Sequence, residues 1–398
     1  MSSEFLPSVS RRRFLRQAGG ATAAAILAPH VRAQSNLGIK VHETRIISRE
    51  PQYYCAWPTI ARRKSGELFV VWSGGREGHI CPFGRVEMMV SRDDGATWQW
   101  PQTLIDGPSD DRDAGVMETA SGTLLATTFT SLAYEPGLAK AIAMAKKPGT
   151  PGAWPPEKLE RWQLAHQRLN ADERKKELGE WMLRSTDGGI SWSARIPTIV
   201  NSPHGPIQLA DGRLLYAGKE LWTEDRRVGV CESTDDGLTW KWLAEIPTRP
   251  VDSKVNYHEL HAVEAADGRL IVHLRNENKT DYGETFQSES DDGGKTWSEP
   301  HSIGVWGLPS FLTRMRDGRL LMSYGHRRAP LGNQARFSYD HGRTWSAPLL
   351  ISADGAKTDL GYPSTVELAN GSLLTVWYEQ MRDSTQAVLR QARWSVEI

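Results

Sequence analysis

The chain of 398 residues has few of the features that mark several large protein classes. Its three cysteines, Cys55, Cys81 and Cys231, cannot form a complete disulfide framework, and none lies in a Cys-x-x-Cys pair. Beyond the extreme N-terminus there is no long apolar run, which argues against a membrane-spanning helix in the mature chain. There is also no glycine-rich phosphate-binding motif, so the sequence favours no nucleotide cofactor.

Neither sign of charge is in excess, since 48 Lys and Arg balance 48 Asp and Glu. This balance argues against a nucleic-acid binder that works by bulk electrostatics and against a disordered acidic chain. Long helix-forming stretches are also few. Tryptophan and glycine are abundant instead, with 16 and 36 residues, and together they indicate an all-β chain with many glycine turns.

The N-terminal segment is predicted to be an export signal and not part of the fold. Ser10 to Arg16 reads Ser-Arg-Arg-Arg-Phe-Leu-Arg, Ala18 to Pro29 is apolar and rich in alanine, and Val31 to Ala33 has a small-residue cleavage pattern. This order is typical of a twin-arginine signal over residues 1–33; a basic amphipathic first helix is the alternative. We therefore expect the twin-arginine export machinery to deliver residues 34–398, which carry a net charge of −4, to the periplasm or the exterior.

A turn motif with an aspartate at its centre occurs five times. Its pattern is Ser-x-Asp-x-Gly-x-Thr/Ser-Trp, in which Asp and Gly suit a turn and Ser or Thr can satisfy the backbone groups of that turn. The tryptophan is expected to pack between neighbouring sheets. The five segments are Ser91–Trp98, Ser185–Trp192, Ser233–Trp240, Ser290–Trp297 and Ser338–Trp345.

A second motif, Gly-x-Leu followed by apolar residues, predicts one β-hairpin in each repeat. Successive hairpin glycines are 56, 90, 56, 50 and 53 residues apart, and a unit of about 50 residues with four strands is typical of a propeller blade. The long interval predicts an insertion over about residues 132–179, within blade two, with a helical pattern over 157–178. The six glycines are Gly66, Gly122, Gly212, Gly268, Gly318 and Gly371.

The last repeat has a hairpin but no Asp turn, which suggests how the ring closes. We expect the C-terminal run Ala387 to Val396 to pair with the N-terminal strand near Ile39 to Ile47. Such pairing leaves no free sheet edge. The sequence thus predicts one all-β domain, a six-bladed β-propeller with a partly helical insertion in blade two.

Five Asp turns on a six-bladed propeller resemble the sialidase/neuraminidase superfamily, whose members carry BNR or Asp-box repeats. The resemblance covers residues from about 45 to 398, and the Asp boxes themselves are structural turns away from the channel. For the chemistry, the resemblance implies a Tyr nucleophile activated by a Glu, three arginines that hold the substrate carboxylate, and an Asp as acid/base. Independently of the resemblance, the sequence has no phosphate-binding glycine motif and no Cys-x-x-Cys pair, so we expect no cofactor.

Several residues match the central positions of that family. Glu259, followed sixteen residues later by Arg275, resembles the family's Glu and its second arginine. Tyr362 and Glu379 lie in segments that resemble those of the nucleophilic Tyr and its supporting Glu. Arg327 resembles the third arginine, and the alternatives for that role are Arg328 and Arg336.

Two groups of the family pattern are absent, which implies a divergent member. The family has Arg-Ile-Pro at the start of blade one, whereas this chain reads Ala-Trp-Pro from Ala56. An acidic residue is also expected about eleven residues before the first Asp box, but the segment from His79 to Gly84 has none. Arg76, His79 and His204 are further candidates near the channel, the arginine to bind a carboxylate and the histidines to contact a sugar or transfer a proton. The alternative is that the two histidines are solvated or structural.

The repeat also serves as a ruler for the inner strands. Asp113, Glu259 and Tyr362 each lie nine residues before the hairpin glycine of their blade, and equal offsets place them in one layer around the channel mouth if no bulge intervenes. Asp113 is therefore a candidate general acid, and the adjacent Arg112 a candidate for the missing arginine. Alternatively, Arg112 and Asp113 form a structural ion pair, Tyr362 only stacks on a ligand, and Arg275 only pairs with Glu259.

Three classes of function remain open from the sequence. The first is an exported, retaining exo-glycosidase of sialidase type that acts on a terminal acidic sugar of a glycan or glycoconjugate. The second is a polysaccharide lyase for uronate-containing glycans, with Tyr362 or a channel histidine as base. The third is a non-catalytic glycan-binding propeller. A zinc site around His258 and His261 lacks the required His-Glu-x-x-His spacing, so no metal ligand is expected.

Overall fold

The structure is a computed structural model that describes residues 38–147 and 151–397; the predicted export signal lies outside these residues. Within them, 24 strands form six four-stranded antiparallel sheets. Each sheet is one blade, so the prediction of a six-bladed β-propeller is confirmed. None of the helices in the described ranges is long and apolar enough to cross a membrane.

The strands follow one another in the order expected of a propeller, with the innermost strand of each blade first. The N-terminal strand and blades one and two comprise β1 (Gly38–Ile46), β2 (Tyr54–Arg62), β3 (Leu68–Arg76), β4 (Arg85–Ser91), β5 (Gln102–Ile105), β6 (Asp110–Glu118), β7 (Leu124–Ser131), β8 (Gly179–Ser185) and β9 (Ile196–Pro197). Blades three and four comprise β10 (Ile207–Gln208), β11 (Leu214–Lys219), β12 (Val228–Ser233), β13 (Lys241–Glu245), β14 (Tyr257–Glu264), β15 (Leu270–Asn276), β16 (Glu284–Ser290) and β17 (His301–Trp306), with a short 3-10 helix at Lys254–Asn256. Blades five and six comprise β18 (Ser310–Arg314), β19 (Leu320–His326), β20 (Gly332–Ser338), β21 (Leu349–Ser352), β22 (Leu360–Glu367), β23 (Leu373–Gln380) and β24 (Ala387–Glu397).

Blade six closes the ring as the sequence predicts. Its strand order is β1-β24-β23-β22, so the N-terminal strand is its outermost member. Ile39 pairs with Val396, and the two strands run antiparallel over most of their length. One blade therefore contains both ends of the described chain, and neither terminal strand leaves an unpaired inner edge.

The Asp turns join neighbouring blades through their tryptophans. In the first of them, Asp93 accepts hydrogen bonds from the Thr97 backbone N–H at 2.8 Å and from the Thr97 hydroxyl at 2.6 Å. These bonds hold the turn so that Trp98 is buried, and its Nε1 donates to Gln391 of blade six at 2.8 Å. The role predicted for the motif, a structural turn with an interblade tryptophan, is confirmed for this copy.

A second contact between blades uses a side chain four residues before the hairpin glycine. In three blades this residue is a glutamate whose carboxylate accepts the backbone N–H of the hairpin turn in the preceding blade. The distances are 2.7 Å for Lys64 N to Glu118, 2.6 Å for Ala210 N to Glu264 and 2.8 Å for Arg316 N to Glu367. The ring is thus held together by polar contacts as well as by its apolar interfaces.

Replacing Glu118 by Ala tests this contact. Glu118 also accepts from Arg63 Nε at 2.8 Å, and its side chain is 7% exposed. Loss of both bonds is expected to lower the free energy of unfolding by about 1–3 kcal/mol, measured by urea denaturation. Glu118→Gln keeps an acceptor for the Lys64 N–H and is expected to lose less; equal losses in the two variants would contradict the proposed role of this bond.

The insertion lies between β7 and β8 of blade two, as predicted, but its helices differ from the prediction. It contains α1 (Glu135–Ala145), α2 (Pro156–His166) and α3 (Ala171–Glu177) among the described residues. The predicted span 157–178 is divided because Asn170 caps α3 in a capping box with Glu173. Helix α1 was not predicted. Trp162 of α2 and Tyr134 before α1 are buried against Cys81 in the loop between β3 and β4.

Candidate active site

Four blades place a side chain at the same point of the innermost strand, where each strand has a β-bulge. The pairing register shifts between residues 56 and 59, 112 and 115, 258 and 261, and 361 and 364. The residue within each shift has a positive φ, a rare conformation for residues other than glycine: Trp57 at 53°, Asp113 at 47°, Glu259 at 48° and Tyr362 at 54°. The prediction from equal spacing assumed that no bulge intervenes. Because the bulge recurs at the same place in each of these blades, the equal spacing to the hairpin glycine still brings these residues together.

The same position in blades three and five is occupied by Pro203 and Pro309, nine residues before their hairpin glycines. Proline holds φ near −65° and cannot take up the bulge conformation. Only four of the six blades therefore supply a side chain to the centre in this way. Backbone strain of this kind costs on the order of 1–3 kcal/mol per residue and is concentrated at functional sites.

The four bulge residues line one cavity of about 240 Å³ at the propeller axis. All three predicted catalytic residues belong to this cavity, together with four of the six predicted substrate-binding residues. The complete lining is Trp57, His79, Arg112, Asp113, His258, Glu259, Arg275, Glu277, Arg327 and Tyr362.

Tyr362, Glu259 and Arg275 form a directly hydrogen-bonded cluster within this cavity. The Tyr362 hydroxyl donates a short hydrogen bond to Glu259 Oε1. Arg275 Nη1 donates to Glu259 Oε1 and Oε2 at 2.9 and 2.7 Å and to the Tyr362 hydroxyl oxygen at 3.2 Å. Arg275 Nη2 donates to Glu277, so two carboxylates share this guanidinium. The hydroxyl, its proton acceptor and a cation thus meet at one point.

The electrostatics of the cluster favour an ionised Glu259 and a protonated Tyr362. Burial acts to raise the pKa of Glu259, but Arg275 and the hydrogen bond from Tyr362 outweigh it and leave that pKa below its usual value. Burial and the negative charge of Glu259 raise the pKa of Tyr362 well above its usual value. Tyr362 is therefore a neutral phenol at rest whose proton already points at a carboxylate.

Asp113 is a carboxyl group with an elevated pKa. Burial, opposed by Arg112 and assisted by the charge of Glu259, raises its pKa to about 7. Its Oδ1 is buried and has no hydrogen-bond partner among the described residues. A carboxyl group of this kind is partly protonated near neutral pH and can donate a proton or a hydrogen bond there.

The shift of Asp113 predicts a pH-dependent difference between wild type and Asp113→Asn. The ordinary pKa of an aspartate is 3.8, so between pH 4 and about 7 the unfolded chain ionises first and the folded protein loses stability relative to the variant. The unfolding free energy of Asp113→Asn minus that of wild type should therefore increase over this range and stay constant above it. Urea denaturation of both proteins from pH 4 to 9 measures the gap, and a gap that does not change with pH would contradict the assignment.

Arg112 does not form an ion pair with Asp113, which removes that alternative. Its guanidinium lies over the ring of Trp57, 4.5 Å from the centroid, and its Nε is 4.0 Å from Asp110 Oδ2.

Arg327 also lines the cavity and donates from Nε to the Leu360 carbonyl at 2.9 Å. No described residue pairs with the terminal nitrogens of Arg327, which leaves them available to an anionic ligand.

The alternatives for the third arginine are engaged elsewhere. The guanidinium of Arg328 stacks on Trp306 at 3.7 Å from the ring centroid. Arg336 donates to the Ser346 carbonyl at 2.7 Å. Neither lines the cavity, so Arg327 is the residue of this group that the structure brings to the centre.

Two predicted substrate contacts are corrected by the structure. Arg76 is fully buried and donates to both carboxylate oxygens of Asp110 at 2.5 and 3.0 Å, so it cannot reach a ligand in the cavity. His204 is buried below the cavity, with its ring centroid 6.3 Å from that of Tyr362. It lines a second, axial cavity of about 360 Å³, and burial lowers its pKa to about 4.

The role predicted for Glu379 is also corrected. Glu379 is buried, accepts from Trp377 Nε1 at 3.1 Å and pairs with Arg390 Nη1 at 2.9 Å. Side chains of adjacent strand residues point to opposite faces, so Glu379 points away from the face that its neighbour Tyr378 shares with Tyr362. The Tyr378 ring is 5.7 Å from that of Tyr362.

Sequence reasoning missed several residues of the cavity wall. Trp57 has the same offset from its hairpin glycine as Asp113 has, so the ruler could have found it. Glu277 follows Arg275 by two residues and therefore lies on the same face of the chain, a signal that was available. His258, 3.6 Å from Glu277, lines the cavity but was considered only as a metal ligand. In residues 38–147 and 151–397, no group of three or more His, Cys, Asp or Glu side chains is placed to hold a metal ion.

The fold and this Tyr–Glu–Arg cluster define a sialidase-like β-propeller. Residues 160–375, more than half of the chain, match the model of the BNR repeat-like domain, and the chain belongs to that family. No curated protein matches its sequence.

Several solved structures share the fold. A protein of unknown function from Dyadobacter fermentans is 23% identical with a TM-score of 0.73, over 90% of this chain and 100% of that one. The NanB sialidase from Streptococcus pneumoniae is 16% identical with a TM-score of 0.60, over 89% and 70% of the two chains. The intramolecular trans-sialidase from Ruminococcus gnavus is 13% identical with a TM-score of 0.60, over 88% and 96%. Likeness at these identities shows the fold alone.

Proposed function

We propose that the protein is an exported, retaining exo-glycosidase that releases a terminal acidic sugar, with Tyr362 as nucleophile and Glu259 as the base that activates it. The observation that carries the proposal is the short hydrogen bond from the Tyr362 hydroxyl to Glu259 inside a cavity lined by three arginines. Glycosidase chemistry of this kind replaces the usual carboxylate nucleophile by a tyrosine.

The cluster supplies what a phenol needs in order to attack a sugar. A free tyrosine ionises near pH 10 and is a poor nucleophile at pH 7. Glu259 accepts the phenolic proton while the bond to the anomeric carbon forms, so no free phenolate has to exist beforehand. Arg275 stabilises the negative charge that Glu259 and Tyr362 share before the transfer.

The cavity favours one sugar unit that carries a carboxylate. Its volume of about 240 Å³ is on the scale of a single monosaccharide. Arg275 is neutralised by Glu259 and Glu277, whereas Arg112 and Arg327 have guanidinium nitrogens without acidic partners at hydrogen-bond distance. A planar guanidinium binds a carboxylate with two parallel hydrogen bonds, so these two arginines are the proposed clamp.

The leaving oxygen needs a proton, and two groups of the cavity can supply it. Burial and the charge of Glu259 raise the pKa of Asp113 to about 7. His79 lies on the loop between β3 and β4 at the cavity wall.

The second part of the proposal is that the protein is exported before it acts, and it rests on the twin-arginine pattern of residues 1–33.

A lyase is the second candidate, because a histidine and a tyrosine beside free arginines also suit proton abstraction next to a uronate carboxylate. The products separate the candidates. Residues 34–398 are incubated with sialosides and with uronate-terminated oligosaccharides, and the products are followed by NMR from the first turnovers. Release of a free sugar acid with retained anomeric configuration is the expected result. An unsaturated uronate with new ultraviolet absorbance would identify a lyase, and binding without any product would overturn the enzyme proposal.

A further inference from the structure

We propose that His79, oriented by Asp359, is the acid and base that acts on the leaving group and then on water, and that Asp113 instead donates a hydrogen bond to the sugar from the cavity floor. This inference rests on the proposed glycosidase function. Asp359 was not singled out by any sequence motif.

His79 stands at the mouth of the cavity. It lies three residues beyond the end of β3, on a loop, and its side chain is 48% exposed. The imidazole packs edge-on against Trp57 with 5.0 Å between ring centroids. Because Trp57 is one of the four bulge residues, His79 lies next to the layer that contains Tyr362, on its exposed side, since Tyr362 itself is only 4% exposed.

Asp359 fixes the orientation of this imidazole. The Tyr54 hydroxyl donates to Asp359 Oδ2 at 2.6 Å, and the Tyr378 hydroxyl donates to Asp359 Oδ1 at 2.9 Å. His79 Nδ1 is 3.1 Å from Asp359 Oδ1 and 3.0 Å from the Tyr54 oxygen. Since both of these oxygens act as acceptors, Nδ1 bears the hydrogen, and Nε2, which has no partner in the described part of the chain, is left for a ligand.

Asp359 stays ionised while it does this. Burial acts to raise its pKa, but hydrogen bonds from His79 and Tyr54 and the charge of His79 dominate and hold the pKa at about 2. A carboxylate on Nδ1 keeps the other ring nitrogen in one direction. The arrangement is that of a proton-transfer histidine with a carboxylate partner.

The loop that carries His79 is held from two sides. Arg76 Nη2 donates to the His79 carbonyl at 3.1 Å, and Arg76 Nε donates to the Gly78 carbonyl at 3.3 Å. From the insertion, Arg161 Nε and Trp162 Nε1 donate to Glu77 at 2.6 and 2.8 Å. The insertion therefore stabilises the loop that carries His79.

The position of Asp113 argues against its acting on the leaving group. In a retaining glycosidase the nucleophile and the acid flank the scissile bond, so the acid lies on the side opposite to the nucleophile. Asp113 and Tyr362 occupy the same position of their strands and thus the same layer at the floor. Of the two candidates for the acid, only His79 lies toward the mouth of the cavity, where the leaving group departs to solvent.

The two steps balance in protons. The first step starts with His79 protonated on both ring nitrogens. The Tyr362 oxygen bonds to the anomeric carbon and its proton passes to Glu259, while the bond to the leaving oxygen breaks and that oxygen takes the proton of His79 Nε2, which leaves a neutral imidazole. In the second, water gives a proton to His79 Nε2 and its oxygen attacks the anomeric carbon. As that bond forms, the bond from the anomeric carbon to Tyr362 breaks, and the Tyr362 oxygen recovers its proton from Glu259.

His79→Asn tests the proposal, since the Asn amide can keep the contact with Asp359 but has no Nε2. The probes are 4-nitrophenyl and 4-methylumbelliferyl glycosides of N-acetylneuraminate and glucuronate, each paired with a natural oligosaccharide of the same sugar. We expect kcat/KM to fall by about 10²–10⁴ on the oligosaccharide, whose leaving group needs a proton, and by less than about tenfold on the 4-nitrophenyl glycoside, which does not.

Three further variants complete the test. Asp359→Asn should give the same dependence on the leaving group with a smaller loss, which a merely structural defect would not do. Asp113→Asn should lose activity to an equal degree on all probes. His301→Asn, on the outermost strand of blade four and outside the cavity, should lose none. If Asp113→Asn shows the leaving-group dependence and His79→Asn does not, the proposal is overturned. Wild-type protein that cleaves no probe would instead contradict the proposed function itself.

Discussion

The Tyr362→Phe variant is expected to lose at least about 10³-fold in kcat on any substrate that the wild-type protein cleaves. The change removes only the hydroxyl group, so the nucleophile disappears while the ring keeps its place in the cavity wall. Glu259 retains both hydrogen bonds from Arg275, at 2.9 and 2.7 Å, and therefore does not become an unpaired buried charge. Steady-state kinetics at saturating substrate measure the loss.

A matched control separates chemistry from the general loss of a buried hydroxyl. Tyr324 is also buried, and its hydroxyl donates to Gln334 at 2.7 Å, outside the cavity. Tyr324→Phe should lose a similar, small amount of stability and keep its turnover. If Tyr362→Phe retained kcat within about tenfold of wild type, Tyr362 would be a ligand-stacking residue and not the nucleophile.

The second large effect is expected for Arg275→Met, in both stability and activity. Arg275 is the cation shared by Glu259 and Glu277, and its side chain is 16% exposed. Removing one partner of such a cluster leaves two carboxylates uncompensated, and the free energy of unfolding should fall by about 3 kcal/mol near pH 8. Turnover should fall as well, because Glu259 then protonates more easily and no longer accepts the phenolic proton. Urea denaturation and kinetics on the same preparation measure both effects.

The pH dependence of this loss provides an internal check. At about pH 5 the two carboxyl groups of the variant can take up protons and need no cation, so the loss of stability should be smaller than at pH 8. Arg343, whose side chain is 49% exposed, pairs with Asp267 and serves as a control. Arg343→Met should cost no more than about 1 kcal/mol. Equal losses for the two variants would contradict a strained, charge-coupled site.

Most of the fold could be predicted from the sequence because its units repeat. Each hairpin requires a glycine at its turn, as at Gly268 with a φ of 86°, and six such turns at similar spacing fix the number of blades. The missing sixth Asp turn and the C-terminal run from Ala387 to Val396 indicated the closure of the ring. The helices of the insertion were harder to predict, because no repeat constrains them and their packing against each other and against Cys81 depends on tertiary contacts.

The site was predictable to the extent that it follows the register of the repeat. Asp113, Glu259 and Tyr362 meet because their blades share one bulge, which the spacing preserves although it does not reveal it. Residues that depend on loops were not predictable in this way. Asp359 precedes β22 without any motif, and the pairing of Arg76 with Asp110, which removes Arg76 from the cavity, depends on a partner 34 residues away.

The central claim, that Tyr362 forms a covalent bond to the sugar, is tested most directly by trapping that bond. Fluorinated substrate analogues, such as a 2,3-difluoro derivative of N-acetylneuraminate or a 2-fluoro glucuronyl fluoride, slow the second step more than the first when a retaining enzyme accepts them. Peptide mass spectrometry after incubation should locate the fluorosugar on Tyr362, and the Tyr362→Phe variant should carry none. An adduct on another residue, or no adduct in a protein that turns over the parent substrate, would contradict the claim.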